Sequence, residues 1–115
     1  MARRKAPAEA APFQGRWRIT EMDLWDCDAL NLVRPAYLKI DGEDGEMGFI
    51  AIKAWLDIRY VTREGKPVAE FSWEGLDERD DRSGRGWVAA SPSGGLVGHF
   101  FFHRGDDSGF VCEPR

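Results

Sequence analysis

The sequence predicts an all-β fold: an antiparallel up-and-down barrel, or a strongly curved sheet, of about eight strands with one short helix after the first strand. Short runs of β-patterned residues, separated by turns rich in Gly, Pro and Asp, fill the chain after Phe13. The length of 115 residues suits one domain. Strands of this number in so short a chain must close into a barrel or form two packed sheets. Hairpins that follow one another without long crossovers favour a closed meander.

The first 12 residues are predicted to be a disordered tail, and residues 13–115 a single β-barrel domain. The tail is made mostly of Ala and Pro, and it has no large apolar side chain to bury. Its basic start, Arg3 to Lys5, is not followed by the apolar stretch of a signal peptide. We therefore expect a cytoplasmic protein in a reducing compartment, where Cys27 and Cys112 are free thiols.

The first strand is predicted at Gly15–Met22, where large apolar residues alternate with polar ones. A short helix is predicted within Asp23–Val33, with Asp23 as its N-cap. Pro35 should end it, because the residue before a proline avoids the helical conformation. The apolar positions of the helix are Leu24, Cys27 and Leu30.

Three hairpins account for most of the remaining strands. Their turns are predicted at residues 42–45, 63–66 and 92–95, with the sequences GEDG, REGK and PSGG. A further turn rich in Gly and Asp precedes the last strand. The strands after the helix are predicted at residues 36–41, 46–53, 55–62, 67–74, 85–91, 96–104 and 110–112.

The hairpin around residues 63–66 has the most strongly specified register. One register sorts three apolar pairs onto a single face: Leu56–Trp73, Ile58–Phe71 and Tyr60–Ala69. The opposite face then carries a cross-strand ion pair between Arg59 and Glu70. A slip of one residue would scramble both faces.

Gly15-Arg16-Trp17, near the start of the first strand, resembles the G-x-W motif that opens the lipocalin and related calycin barrels. The resemblance implies a calycin-like barrel, in which the tryptophan closes one end and packs under a basic side chain from a late strand. The chain from Phe13 onward is also similar to a group of small bacterial proteins without assigned function. The segments GRWRI, FSWEG, SGRGW and GHFFFHRGDDSGF carry that similarity, which implies no activity.

Charge and hydropathy exclude two classes of partner. The net charge of −4 provides no excess of basic side chains to neutralise phosphates, so we expect no nucleic-acid binding. No apolar run approaches the roughly 20 residues that a membrane-spanning helix needs, so we expect no membrane partner.

The residues with catalytic or metal-binding chemistry do not form a known motif. On one strand, His99 and His103 would lie roughly 13 Å apart, too far to bind one metal ion. The five carboxylates at residues 74–81 lack the spacing of a calcium-binding loop. Gly84-Arg85-Gly86 is interpreted as a bulge or strand-entry device. We predict no metal and no cofactor, and the sequence leaves catalysis open while favouring a non-catalytic protein.

The five Trp, seven Phe and two Tyr point to binding. The first hypothesis is a module that binds a small, partly apolar ligand at the barrel rim. The alternative is a protein-interaction or homodimerising module with an exposed aromatic strand face around Phe101. Aromatic side chains, including Trp87, should fill the barrel and leave no large cavity. The candidate ligand-binding residues are Trp73, Trp87, His99 and Phe100.

Overall fold

The structure, a computed structural model, describes residues 8–115 and is a closed antiparallel barrel of eight strands. A 3₁₀ helix (Ala8–Phe13) precedes the barrel, and a one-turn helix α1 (Cys27–Leu30) follows the first strand. No helix in this part of the chain is long and apolar enough to cross a membrane. The strands are β1 (Gly15–Met22), β2 (Tyr37–Asp41), β3 (Asp44–Phe49), β4 (Ile52–Arg63), β5 (Lys66–Asp77), β6 (Asp80–Ala90), β7 (Leu96–Phe102) and β8 (Asp107–Pro114).

The strands pair in chain order, and β1 pairs with β8 to close the barrel. The predicted up-and-down meander is therefore confirmed. The predicted register of β4 against β5 is also confirmed, since Ile58 opposes Phe71 and Arg59 opposes Glu70. The register of β1 against β8 shifts between Ile19 and Glu21, so the pairing is irregular at this point of the closing seam.

Aromatic rings fill the middle of the barrel. Phe100 is fully buried, and its ring stacks on that of Trp73 with centroids 4.5 Å apart. It also meets the ring of Phe49 edge to face at 4.9 Å, and that of Phe71 at 6.3 Å. Such pairs stabilise a core by about 0.5–1.5 kcal/mol each beyond the burial of their area. The expectation that side chains fill the barrel agrees with this cluster.

Glycines on β6 make room for these rings. Gly86 lies directly between Phe71 and Phe100 on the neighbouring strands, and Gly84 opposes Trp73. A Cβ at Gly86 would overlap the ring of Phe71, and one at Gly84 would lie 2.7 Å from Trp73 Nε1. Gly84-Arg85-Gly86 is thus neither a bulge nor a strand entry, because these residues pair regularly within β6. Gly84 and Gly86 leave the space inside the barrel that the neighbouring aromatic rings occupy, and a side chain at either position would overlap those rings.

The 3₁₀ helix covers the end of the barrel at which β1 begins. Phe13 is fully buried, its ring lies 6.0 Å from that of Tyr60, and Ala10 is 1% exposed. The expectation of a disordered tail is therefore wrong for residues 8–12, and residues 1–7 of that tail lie outside the described residues. The small alanine side chains let the 3₁₀ helix pack closely over the barrel end, and the buried ring of Phe13 provides its large apolar contact.

The segment between β1 and β2 covers the opposite end. Leu30 is fully buried, and Trp25 packs against Phe49 with ring centroids 5.7 Å apart. The predicted helix is shorter than expected, and its N-cap is Asp26, whose Oδ1 accepts a hydrogen bond of 2.9 Å from the backbone N–H of Ala29.

Two further details of the predicted helix are wrong. The Asp23 carboxylate does not cap α1, because it accepts a hydrogen bond from the backbone N–H of Gly109 at 3.0 Å. Leu24 is exposed, and Cys27 is exposed as well, so only Leu30 of the apolar positions reaches the core.

Most strand boundaries differ from prediction by one to five residues, and two of these differences matter for the hairpins. β3 ends at Phe49 and β4 begins at Ile52, with Ile50 at φ 54° in the connecting turn. An isoleucine is rare in this left-handed region, so the residue types give no signal of the turn. β6 begins at Asp80 rather than at residue 85, so the acidic stretch forms the end of one hairpin.

Substituting Gly84 by alanine should destabilise the barrel, because the new methyl group would overlap the Phe101 carbonyl oxygen and crowd Trp73. Overpacking of this kind costs about 1–3 kcal/mol. Urea denaturation of Gly84→Ala would measure the loss, with Ser83→Ala, a change at the exposed neighbouring position, as the control. A variant as stable as the parent would contradict the proposed role of this glycine.

Candidate functional site

The structure divides the four predicted ligand-binding residues between the two sides of the barrel wall. Trp73 and Phe100 face the interior, where both are buried. Trp87 and His99 are cross-strand partners whose side chains lie on the outer surface. The four therefore do not form one rim site. The expectation that Trp87 fills the interior is wrong, because its neighbours Gly86 and Val88 occupy the inward positions of β6.

The predicted ion pair between Arg59 and Glu70 does not form, although the two residues oppose each other. Arg59 instead binds the Asp57 carboxylate on its own strand at 2.7 Å, and Glu70 pairs with Arg63. Arginine side chains are long enough to reach either carboxylate, and exposed ion pairs specify their partners weakly.

Gly15 and Trp17 lie at the barrel end covered by the 3₁₀ helix. Gly15 has φ 112°, a conformation that glycine adopts readily. Trp17 is 7% exposed, and its indole N–H donates to the Phe13 carbonyl at 3.0 Å. The tryptophan therefore fixes the 3₁₀ helix to the barrel. In the described part of the chain, the rings that have a cation over them are Tyr37, Trp55 and Phe101, and Trp17 is not one of them.

An open cleft of about 590 Å³ lies on the outer wall across β4 to β7; we call it the outer-wall cleft. Its aromatic lining includes the half-buried side chains of Trp87 and Phe101. Three guanidinium groups and two carboxylates face it, so its charged groups sum to one positive charge in a chain of net charge −4. Those charged residues are Asp57, Arg59, Arg63, Glu70 and Arg85.

Arg85 differs from the other two arginines of the cleft. Among residues 8–115 it forms no ion pair, whereas Arg59 and Arg63 each have a carboxylate partner. Its guanidinium carbon lies 5.1 Å from the centre of the Phe101 ring, which holds the side chain against β7. Arg85 was not among the predicted ligand-binding residues. The alternation Gly-Arg-Gly-Trp could have indicated it, since inward glycines require outward Arg and Trp.

His99 and Asp107 form a polar pair beside this cleft. Nε2 of His99 lies 2.5 Å from Oδ2 of Asp107, and the imidazole lies 4.6 Å from the Phe101 ring. The cross-strand neighbours of His99 are Trp87 and Gly109, neither of which carries a nucleophile. The contact with Asp107 therefore holds the His99 imidazole against the Phe101 ring.

A larger open cleft, about 800 Å³, lies nearer the end covered by α1, but its chemistry differs. It combines the carboxylates of Glu74 and Asp81 with the guanidinium of Arg82. Its exposed tryptophan, Trp55, already has the Lys53 ammonium 5.6 Å from its ring centre. The outer-wall cleft is therefore the stronger candidate: among residues 8–115, its Trp87 indole has no cation over the ring, and its Arg85 guanidinium has no ion-pair partner.

Comparison with protein-family models, with curated proteins and with solved structures finds no significant match for this chain.

Both cysteines are free thiols in the structure, as predicted. They differ in environment: Cys27 is exposed, whereas Cys112 lies in the core. Burial disfavours the thiolate and raises the pKa of Cys112 to about 12.

The native protein should therefore react with a thiol reagent at Cys27 alone, and at Cys112 only after unfolding. Because the pKa of Cys112 is raised from 9.0 in the folded protein, its thiol ionises at a lower pH in the unfolded chain. The free energy of unfolding should therefore fall as the pH rises above about 9. Mass spectrometry after alkylation, and denaturation at increasing pH, would measure both effects. Rapid native labelling of Cys112 would contradict its burial, and Cys112→Ala should show a weaker alkaline loss of stability than the parent.

Proposed function

We propose that this protein is a non-catalytic binding module that takes a small, partly apolar ligand in the outer-wall cleft. The environment of Trp87 is the observation that carries the proposal. Its half-buried indole lines the cleft, and no described residue makes a ring–ring or cation–ring contact with it. An aromatic surface of this kind offers a ligand stacking area at low entropic cost, because the side chain has only two rotatable torsions.

The filled interior supports the outer wall as the location of binding. Phe100 occupies the middle of the barrel, while Phe13 and Leu30, which belong to the segments that cover its two ends, are fully buried. A ligand inside the barrel would have to displace these side chains from their aromatic and aliphatic contacts. A ligand in the outer-wall cleft displaces only water.

The polar groups of the cleft suit a ligand that is only partly apolar. Trp87 lies beside Glu70 on β5 and His99 on β7, so charged or polar side chains flank the indole on both sides. Small-molecule sites combine apolar walls with a few placed polar groups that fix orientation.

A fragment screen by ¹⁵N NMR tests this function. Compounds with one or two aromatic rings and a polar group should shift the amide signals of β5 to β7 together with the Trp87 indole signal. Trp87→Ala should weaken binding by about tenfold, the loss expected for one aromatic contact. Trp55→Ala is the matched control, since Trp55 is exposed on the same wall but does not line this cleft. Equal weakening by both variants, or shifts confined to interior residues, would overturn the proposal.

A second candidate function, self-association, is favoured by a different observation. An apolar row runs across β6, β7 and β8 on the outer wall beside Trp87, because Ala89 opposes Val97 and Val97 opposes Val111. Val97 is 37% exposed at the centre of this row. Contiguous apolar surface on a small protein often marks a protein interface.

If the row is an interface, sedimentation velocity should show a dimer at micromolar concentration. Val97→Lys should return the protein to a monomer, because the ammonium group would be desolvated at the centre of the contact. Lys39→Gln, an exposed change on β2, is the control. A strict monomer across the micromolar range would leave ligand binding as the only candidate.

A further inference from the structure

We propose that the outer-wall cleft selects a planar aromatic ligand that carries a single carboxylate, with Arg85 as the residue that binds the carboxylate. This inference rests on the proposed function of that cleft and names its ligand class. It depends on three observations: a cation without an anionic partner, a local excess of positive charge, and an indole at a suitable distance from that cation.

Arg85 is held in place while its hydrogen-bond donors remain available. On one side it lies over the Phe101 ring, and on the other it opposes Ser72 of β5. Within residues 8–115, neither its guanidinium N–H groups nor the Ser72 hydroxyl takes part in a hydrogen bond to another side chain or to the backbone. The planar guanidinium can donate two parallel N–H bonds to one carboxylate, and Ser72 offers a neutral donor beside it.

The charge of the cleft matches a monoanion. The Asp57 and Glu70 carboxylates are already paired with Arg59 and Arg63, which leaves the charge of Arg85 uncompensated. A dianionic phosphate would bring a second negative charge close to those two carboxylates. Beyond the Phe101 ring, the Asp107 carboxylate is held by His99. A single carboxylate therefore balances the cleft better than a phosphate does.

The spacing of Trp87 and Arg85 sets the shape of the ligand. The two residues are two positions apart on one face of β6, so their Cα atoms lie about 7 Å apart. A flat bicyclic ring system that stacks on the indole can place a carboxylate attached to it near the guanidinium. An aliphatic acid of the same length would reach Arg85 but would lose the stacking contact.

Four probes separate charge from stacking in an NMR titration: naphthalene-2-carboxylate, naphthalene-2-carboxamide, naphthyl-2-phosphate and cyclohexanecarboxylate. The aryl carboxylate should bind tightest, and it should shift both the Trp87 indole signal and the Arg85 side-chain Nε–H signal. The neutral amide and the aliphatic acid should each bind about tenfold more weakly, the effect of losing one charge-assisted or one aromatic contact.

Arg85→Gln should weaken the aryl carboxylate about tenfold or more and leave the affinity for the carboxamide unchanged. Arg18→Gln is the matched control, because it removes the same charge from an exposed position on β1, outside the cleft. Retained chemical-shift dispersion in each variant confirms that it is folded.

The outcomes distinguish this inference from the function on which it rests. If the carboxamide binds as tightly as the carboxylate, the cleft binds aromatic ligands but Arg85 does not select an anion. If the phosphate binds tighter, the assignment of a carboxylate is wrong. Equal weakening by Arg85→Gln and Arg18→Gln would show a general charge effect only. If no probe binds at millimolar concentration, both the inference and the proposed function are overturned.

Discussion

The packing of aromatic rings against glycines inside the barrel is the constraint on which the rest of the structure depends. Phe71, Gly86 and Phe100 lie side by side on three neighbouring strands, so a ring, a gap and a ring alternate around the interior. A barrel of eight strands has just enough space for side chains to fill. Because β6 contributes glycines, its neighbours can contribute rings, and the core reaches close packing without spreading the strands.

This internal arrangement separates the residues of the core from those of the proposed binding surface. Residues that alternate with the inward glycines are forced outward, so Arg85 and Trp87 lie on the surface as a consequence of the same pattern that builds the core. Substitutions at these outward positions leave the packing of the interior unchanged, whereas substitutions at Gly84 or Phe100 disturb the centre. The outer wall can therefore acquire a binding surface without loss of the fold.

The sequence was most informative where two opposing strands carried the same alternation. The hairpin of β4 and β5 was predictable residue by residue, because apolar residues occupy one face of both strands and a slip exposes them all. The position of Trp87 was not predictable in the same way, since the inward face of β6 carries glycines, which leave no hydrophobic pattern. Glu70 pairs with Arg63 instead of the predicted Arg59, because these side chains are exposed and their alternative ion pairs differ little in energy.

The seam between β1 and β8 brings the two ends of the described chain together. The backbone N–H of Arg115 donates to the Arg16 carbonyl at 3.2 Å, so the last residue lies beside the start of the first strand. In a meander closed in this way, each strand contacts the strands before and after it, and the sheet of the described residues has no edge strand. The backbone N–H and C=O groups of the strands therefore do not form an open row on which the strand of another molecule could pair.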